Sequence, residues 1–259
     1  MVEAIQTRQN HLILFYLKNR LTPLSWTFDK NTAKSLLKES WPLILSGLVI
    51  SLYMKVDQIM IMNMLGSIDV GEYAAAVRLS EIWYFIPVVI SASLFPAILN
   101  SREISNKLYY SRIQKLYDLM VCLAFVISIS MTFMADWIVN ILYGQEYNQT
   151  NGVLIIHIWS AVFVFLGVAS SKWFIAEGLQ LLSFYRTLCG ALLNICLNLF
   201  LIPLYGIYGA AIATLASQLV ASYLFNISNK HARKMFILQT KALLLPFRIL
   251  RNQIKLRIC

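Results

Sequence analysis

Long apolar stretches alternate with short polar ones from residue 41 to residue 226. The first, WPLILSGLVISLYMKVDQIMIMNMLG at residues 41–66, is long enough to cross a bilayer, since about 20 residues at ~1.5 Å each span the hydrocarbon core. It carries Lys55 and Asp57 well inside, where a charge costs at least about 2.5–3.5 kcal/mol and normally faces a partner or a wet cavity. Further apolar stretches run over residues 73–99, 117–143, 153–170, 187–204 and 209–226. The second holds Arg78, Glu81, Pro87 and Pro96, prolines that kink a spanning helix where neighbours satisfy the freed carbonyls. The pattern predicts an all-α, polytopic membrane protein: six spanning helices joined by short connections.

Composition agrees. The chain has 259 residues, 59% hydrophobic and 13% charged, with a mean hydropathy of +0.66; soluble domains are less apolar and about twice as charged. A net charge of +10 raises nucleic acid as a partner, but the placement of the basic residues excludes it in favour of an anionic membrane leaflet. They sit before the first span, between the second and third (Arg102, Lys107, Arg112, Lys115), between the fourth and fifth (Lys172, Arg186), and after the sixth. The alternate connections, at residues 67–73, 145–151 and 205–208, hold no Lys or Arg. Only Lys55 and Arg78 break the asymmetry, which places both termini in the cytoplasm.

The flanks read differently. No cleavable signal peptide is expected, because the chain opens on a polar run. HLILFYL, at residues 11–17, is too short to span and reads as the tail of a helix that begins elsewhere. KMFILQTKALLLPFRIL, at residues 234–250, is broken by Lys241, Pro246 and Arg248 and predicts a basic amphipathic helix in the interface. The domains expected are therefore a cytoplasmic linker over 1–40, a six-helix lobe over 41–226 and a basic tail over 227–259. Asn148-Gln149-Thr150 matches a glycosylation sequon, relevant only in a eukaryotic secretory pathway.

Candidate chemistry lies inside the spans. Arg78 and Glu81 share a helix face and can pair. Helical rise places Asp57, Arg78 and Glu81 at one depth, roughly 10–15 Å below the outer surface, so that Asp57–Arg78 is an expected ion pair. Two readings compete. These charges line a cavity in which Lys55 or Arg78 attracts an anionic substrate and Asp57 or Glu81 couples transport to an ion gradient, or they are a structural tie between helices. Gly190, Asn194 and Asn198 make a small, polar stripe on the fifth span that suits sugar binding or, slightly favoured, helix–helix adhesion. Gly209, Ala213 and Ser217 predict close packing of the sixth. His157 and the four cysteines lack metal-ligand spacing, so no metal or cofactor is expected. No phosphate-cradling glycine loop or nucleophile motif occurs, so no enzyme activity is expected.

The wording of the segments is itself informative. ESWPLILSGLVISLYMKVDQIMIMNMLG, VGEYAAAVRLSEIWYFIPVVISASLFPAIL, IHIWSAVFVFLGVASSKWFIAEG and SFYRTLCGALLNICLNLFLIPLYGIYGAAIATLAS resemble bacterial polysaccharide and O-antigen flippases of the multidrug/oligosaccharidyl-lipid/polysaccharide superfamily. The resemblance implies one lobe of a MATE-like, two-lobed transporter of the bacterial inner membrane. Its substrate would be an undecaprenyl-pyrophosphate-linked oligosaccharide, an O-antigen or capsule repeat unit moved to the periplasmic leaflet by alternating access. Such proteins have at least twelve spans, so this chain resembles the carboxy-terminal lobe, with a missing amino-terminal lobe or a second half-transporter as its partner. The resemblance also implies that Lys55, Asp57, Arg78 and Glu81 face the cavity. The alternatives are a drug/cation antiporter lobe, which favours an acidic cavity, and a polysaccharide polymerase or glycosyltransferase, which needs long outer loops.

Overall fold

A computed structural model describes residues 28–245 and residue 248. Contacts divide the chain into a unit over residues 1–40 and a unit from residue 41 onward. In the first, Asp29 begins helix α1 (Lys30–Met64) by accepting from the N–H groups of Asn31 and Thr32 at 3.0 and 3.1 Å and from the Thr32 hydroxyl. These bonds hold its carboxyl below the usual range, the Thr32 hydroxyl contributing most. The HLILFYL segment lies outside the described residues.

In the second unit every regular element among the described residues is helical. α1 is followed by α2 (Ser67–Glu81), a 3-10 turn (Ile82–Tyr84) and α3 (Phe85–Ile104), and then by α4 (Asn106–Tyr143), α5 (Thr150–His157) and α6 (Ser160–Ala176). α7 (Gln180–Tyr205), α8 (Ile207–Leu219), a π-helical turn (Val220–Leu224), α9 (Phe225–Ser228) and α10 (Arg233–Leu243) complete the chain. Grouped across their breaks, six helical segments are long and apolar enough to cross a membrane: Ser40–Met64, Ser67–Ile104, Asn106–Tyr143, Thr150–Ala176, Gln180–Tyr205 and Ile207–Ser228. All six expected spans are present.

The helices are longer than the apolar windows at the end of the bundle that holds the basic residues. Only Ser105 separates α3 from α4, so Arg102, Lys107, Arg112 and Lys115 ride on helix rather than loop. Ser105 caps α4 by accepting from the Lys107 N–H at 3.1 Å. At the other end the connections are Leu65–Gly66, residues 144–149 and Gly206, with Gly66, Gly144 and Gly206 at positive φ.

Three interruptions within the spans have local causes. Pro87 cannot donate to the Trp83 carbonyl, and the 3-10 turn lies there. The α5–α6 break carries no proline or glycine; Ser128 of α4 donates to the Ile158 carbonyl at 3.1 Å, satisfying an acceptor at the break. At the π turn the Ser222 carbonyl accepts from Asn226 at 3.3 Å and Gln239 at 3.2 Å.

Two apolar clusters fill the interior. One, towards the basic end, gathers Phe95, Tyr117, Met120, Phe165 and Phe174; the other, towards the short-loop end, gathers Ile61, Tyr73, Leu154, Ile158 and Ile202. Outward-facing Val126, Phe133, Trp137, Leu199 and Phe200 are exposed, as a surface solvated by acyl chains requires. Within the stretch where the sequence predicts an interfacial basic helix, α10 packs on α4 and buries Met235, Leu238 and Ala242. Met235 takes a hydrogen bond from Tyr117 of α4 at 3.4 Å.

Candidate functional site

Between α1, α2, α6, α7 and α8 lies a cavity of about 520 Å³, within the size range of small-molecule sites. Polar groups are arranged along it in levels. The level nearer the short loops centres on Asp57, which is 5% exposed. Its carboxylate accepts from Tyr73 of α2 at 2.7 Å and from Asn198 of α7 and Thr214 of α8. Asn194 reaches Thr214 at 3.4 Å, and Asn198 reaches Asn194 at 3.3 Å. One carboxylate thus ties α1 to three other helices.

Helix periodicity places these partners. Asn194 and Asn198 lie one turn apart on the same buried face as Gly190. The expected stripe is buried, and its two amides, behind the cavity wall, bond across helices to Thr214 and Asp57. α8 packs closely on α7 because a Cβ at Gly209 would collide with the backbone of Leu201. Gln218 of α8 donates to Tyr53 of α1 one turn further from the short loops. Below that level a Cβ at Gly190 would meet Ala221, so glycine lets the π turn approach α7.

The expected site residues part company here. Asp57 and Glu81 line the cavity, Asn198 reaches it through Asp57, and Asn194 through Thr214. Lys55 and Arg78 are exposed and absent from its lining. The expected Asp57–Arg78 and Arg78–Glu81 pairs do not form. Among the described residues the ion pairs are Arg102–Glu177 at 3.0 Å and Arg248–Asp118 at 3.5 Å, both away from the cavity. Helical rise sets the depth of a side chain but leaves its azimuth open, and Arg78 points away.

Two residues were missed. His157, on the cavity wall, pairs with Ser80 at 2.6 Å. Arg186, counted as a loop residue, is 5% exposed inside α7 and also lines the cavity. The apolar window of this span begins at Thr187 in the sequence, and only the partners on α6 reveal the burial of Arg186. The Asp57 carboxylate and the side chains bonded to it, Tyr73, Asn198 and Thr214, form a set without imidazole or thiolate, and the Oδ1 of Asn198 has no hydrogen-bond partner. Such a set suits a proton or a hard cation rather than a transition metal. Among the described residues no group of three or more His, Cys, Asp or Glu gathers to hold a metal.

Six helical segments long and apolar enough to cross a membrane, gathered around a largely apolar cavity that carries a few buried polar groups, make this a multi-pass membrane protein. The chain belongs to the family described as polysaccharide biosynthesis protein, whose model matches residues 6–152. Among relatives, the capsular polysaccharide biosynthesis protein CapF of Staphylococcus aureus is 23% identical, over 70% of this chain and 46% of its own. The probable low-salt glycan biosynthesis flippase Agl15 of Haloferax volcanii is 25% identical, over 82% of this chain and 48% of its own. The putative O-antigen transporter of Shigella dysenteriae is 25% identical, over 81% and 52%. A solved structure of the lipid II flippase MurJ, inward closed, superposes with a TM-score of 0.61 at 15% identity, over 93% of this chain and 53% of that one, which shows the fold. The chain spans about half the length of the curated relatives it matches.

Proposed function

We propose that this chain forms one lobe, the carboxy-terminal one, of a flippase that moves a lipid-linked oligosaccharide across the bacterial inner membrane. The observation that carries the reading is a cavity enclosed by the spans whose largely apolar wall holds a buried carboxylate at one level and a buried guanidinium at another. A pyrophosphate-linked sugar is anionic and strongly hydrated, and its passage through hydrocarbon is prohibitive unless fixed dipoles and charges replace the lost water. The cavity supplies such groups while the lipid tail stays in the bilayer.

The substrate in this reading is an undecaprenyl-pyrophosphate-linked repeat unit. The second lobe comes from a partner chain or a preceding segment, and both termini lie in the cytoplasm, as the basic end of the bundle indicates. Asp57 is the coupling group. Loading or unloading it with a proton or hard cation alters a contact shared by α1, α2, α7 and α8, which biases how the lobe packs. The presence of both Asp57 and Glu81 on the wall keeps a drug/cation antiporter as the second reading. A polymerase is disfavoured because the connections at the short-loop end hold at most the six residues 144–149.

The test is complementation. The chain is expressed with an amino-terminal lobe of a family member in cells lacking their flippase, and surface polysaccharide is measured. Restoration that disappears with Asp57→Asn is the expected result. Drug resistance without restored polysaccharide would replace this reading with the antiporter.

A further inference from the structure

We propose that Arg186 anchors an anion subsite in the cavity, built for a phosphate or pyrophosphate group; the assignment to substrate rests on the transport reading above. The side chain is 5% exposed and donates from Nη1 to Ser170 Oγ at 2.8 Å. Nη2 donates to Ser171 Oγ at 2.8 Å and to the Gly167 carbonyl at 3.4 Å. The guanidinium carbon lies 5.0 Å from the Phe174 ring centroid. Every one of these partners is neutral, and among the described residues no carboxylate pairs with it.

A buried cation with no counter-charge is costly in a low-dielectric interior, and it is retained where an anion arrives to complete it. Three of the five guanidinium N–H donors are used, which leaves two for a ligand. The planar, permanently charged fork suits phosphate. Arg186 and Asn198 are separated along α7 by about 18 Å of helical rise, so the cation sits well away from the Asp57 carboxylate. An anionic group can therefore dock at Arg186 without meeting the carboxylate's repulsion at close range. Ser183, one turn earlier on the same face, and Gly190, one turn later, also line the cavity and present no bulk or competing charge.

The test uses the full chain in nanodiscs of zwitterionic lipid, with labelled inorganic pyrophosphate and farnesyl pyrophosphate as probes. Saturable binding is expected, weakened at least about tenfold by Arg186→Gln and less by Arg186→Lys. Ser183→Asp supplies an internal counter-ion at i−3, so it should leave the thermal midpoint unchanged or raised and weaken both probes comparably. A merely structural Arg186 would show loss of stability in Arg186→Gln with binding intact in Ser183→Asp, and that result overturns the subsite. Equal competition by phosphatidylglycerol assigns the site to bilayer headgroups and overturns its assignment to substrate. If complementation fails while Arg186-dependent pyrophosphate binding persists, the transport reading falls and the subsite stands. If complementation succeeds and binding ignores Arg186, the subsite alone falls.

Discussion

Asp57 concentrates more of the molecule's organisation than any other described residue, because three donors from three helices converge on it. Replacing it with Asn preserves its shape and removes the charge. In the assembled transporter Asp57→Asn should reduce polysaccharide export at least about tenfold with membrane insertion intact, read by surface polysaccharide and membrane blotting. Asn198→Ala deletes one donor and leaves the carboxylate under-satisfied, a loss of about 1–3 kcal/mol visible in detergent unfolding. Asp57 was legible because a charge stands out in an apolar helix, and Asn194 and Asn198 because their spacing matches a helical face. Arg186 was not, because a basic residue at the edge of an apolar window reads as an interfacial marker until Ser170 and Ser171 are placed against it.

Elements show a similar division. The six spans follow from long apolar runs, and the second span's break follows from Pro87, whereas the α5–α6 break and the π turn have no proline or glycine to announce them. They depend on tertiary acceptors and donors supplied by Ser128, Asn226 and Gln239. The two breaks near residues 82–84 and 158–159 lie side by side, laced by Ser80–His157 at 2.6 Å and Tyr84–Ser160 at 2.9 Å. His157→Leu removes one bond from a Ser80 hydroxyl that still donates to the Val77 carbonyl at 3.0 Å, and should cost about 0.5–1.5 kcal/mol, measured as a lower unfolding midpoint. Gly209→Ala forces α8 away from the Leu201 backbone and should cost about 1–3 kcal/mol, whereas Gly47→Ala, with open space around it, should be nearly neutral.

At the scale of the molecule, the asymmetry of basic residues survives even though several lie on helices rather than in connections. Single cysteines at Gln149 and Asn106, in a background freed of native cysteines, should label from the outside and from the cytoplasm respectively. The reverse pattern would invert the orientation. Native Cys122 and Cys196 are exposed and must be replaced first.

The tight turns have a consequence for engineering. Adjacent spans at this end are joined by Leu65–Gly66, by the six residues 144–149 and by Gly206, so this face of the bundle offers little chain with which to grip a sugar. Under the flippase proposal, discrimination among glycans by this chain would reside in its inward-facing walls. Grafting turns between homologues should leave cargo preference unaltered, while exchanging wall residues on α1, α7 and α8 should move it.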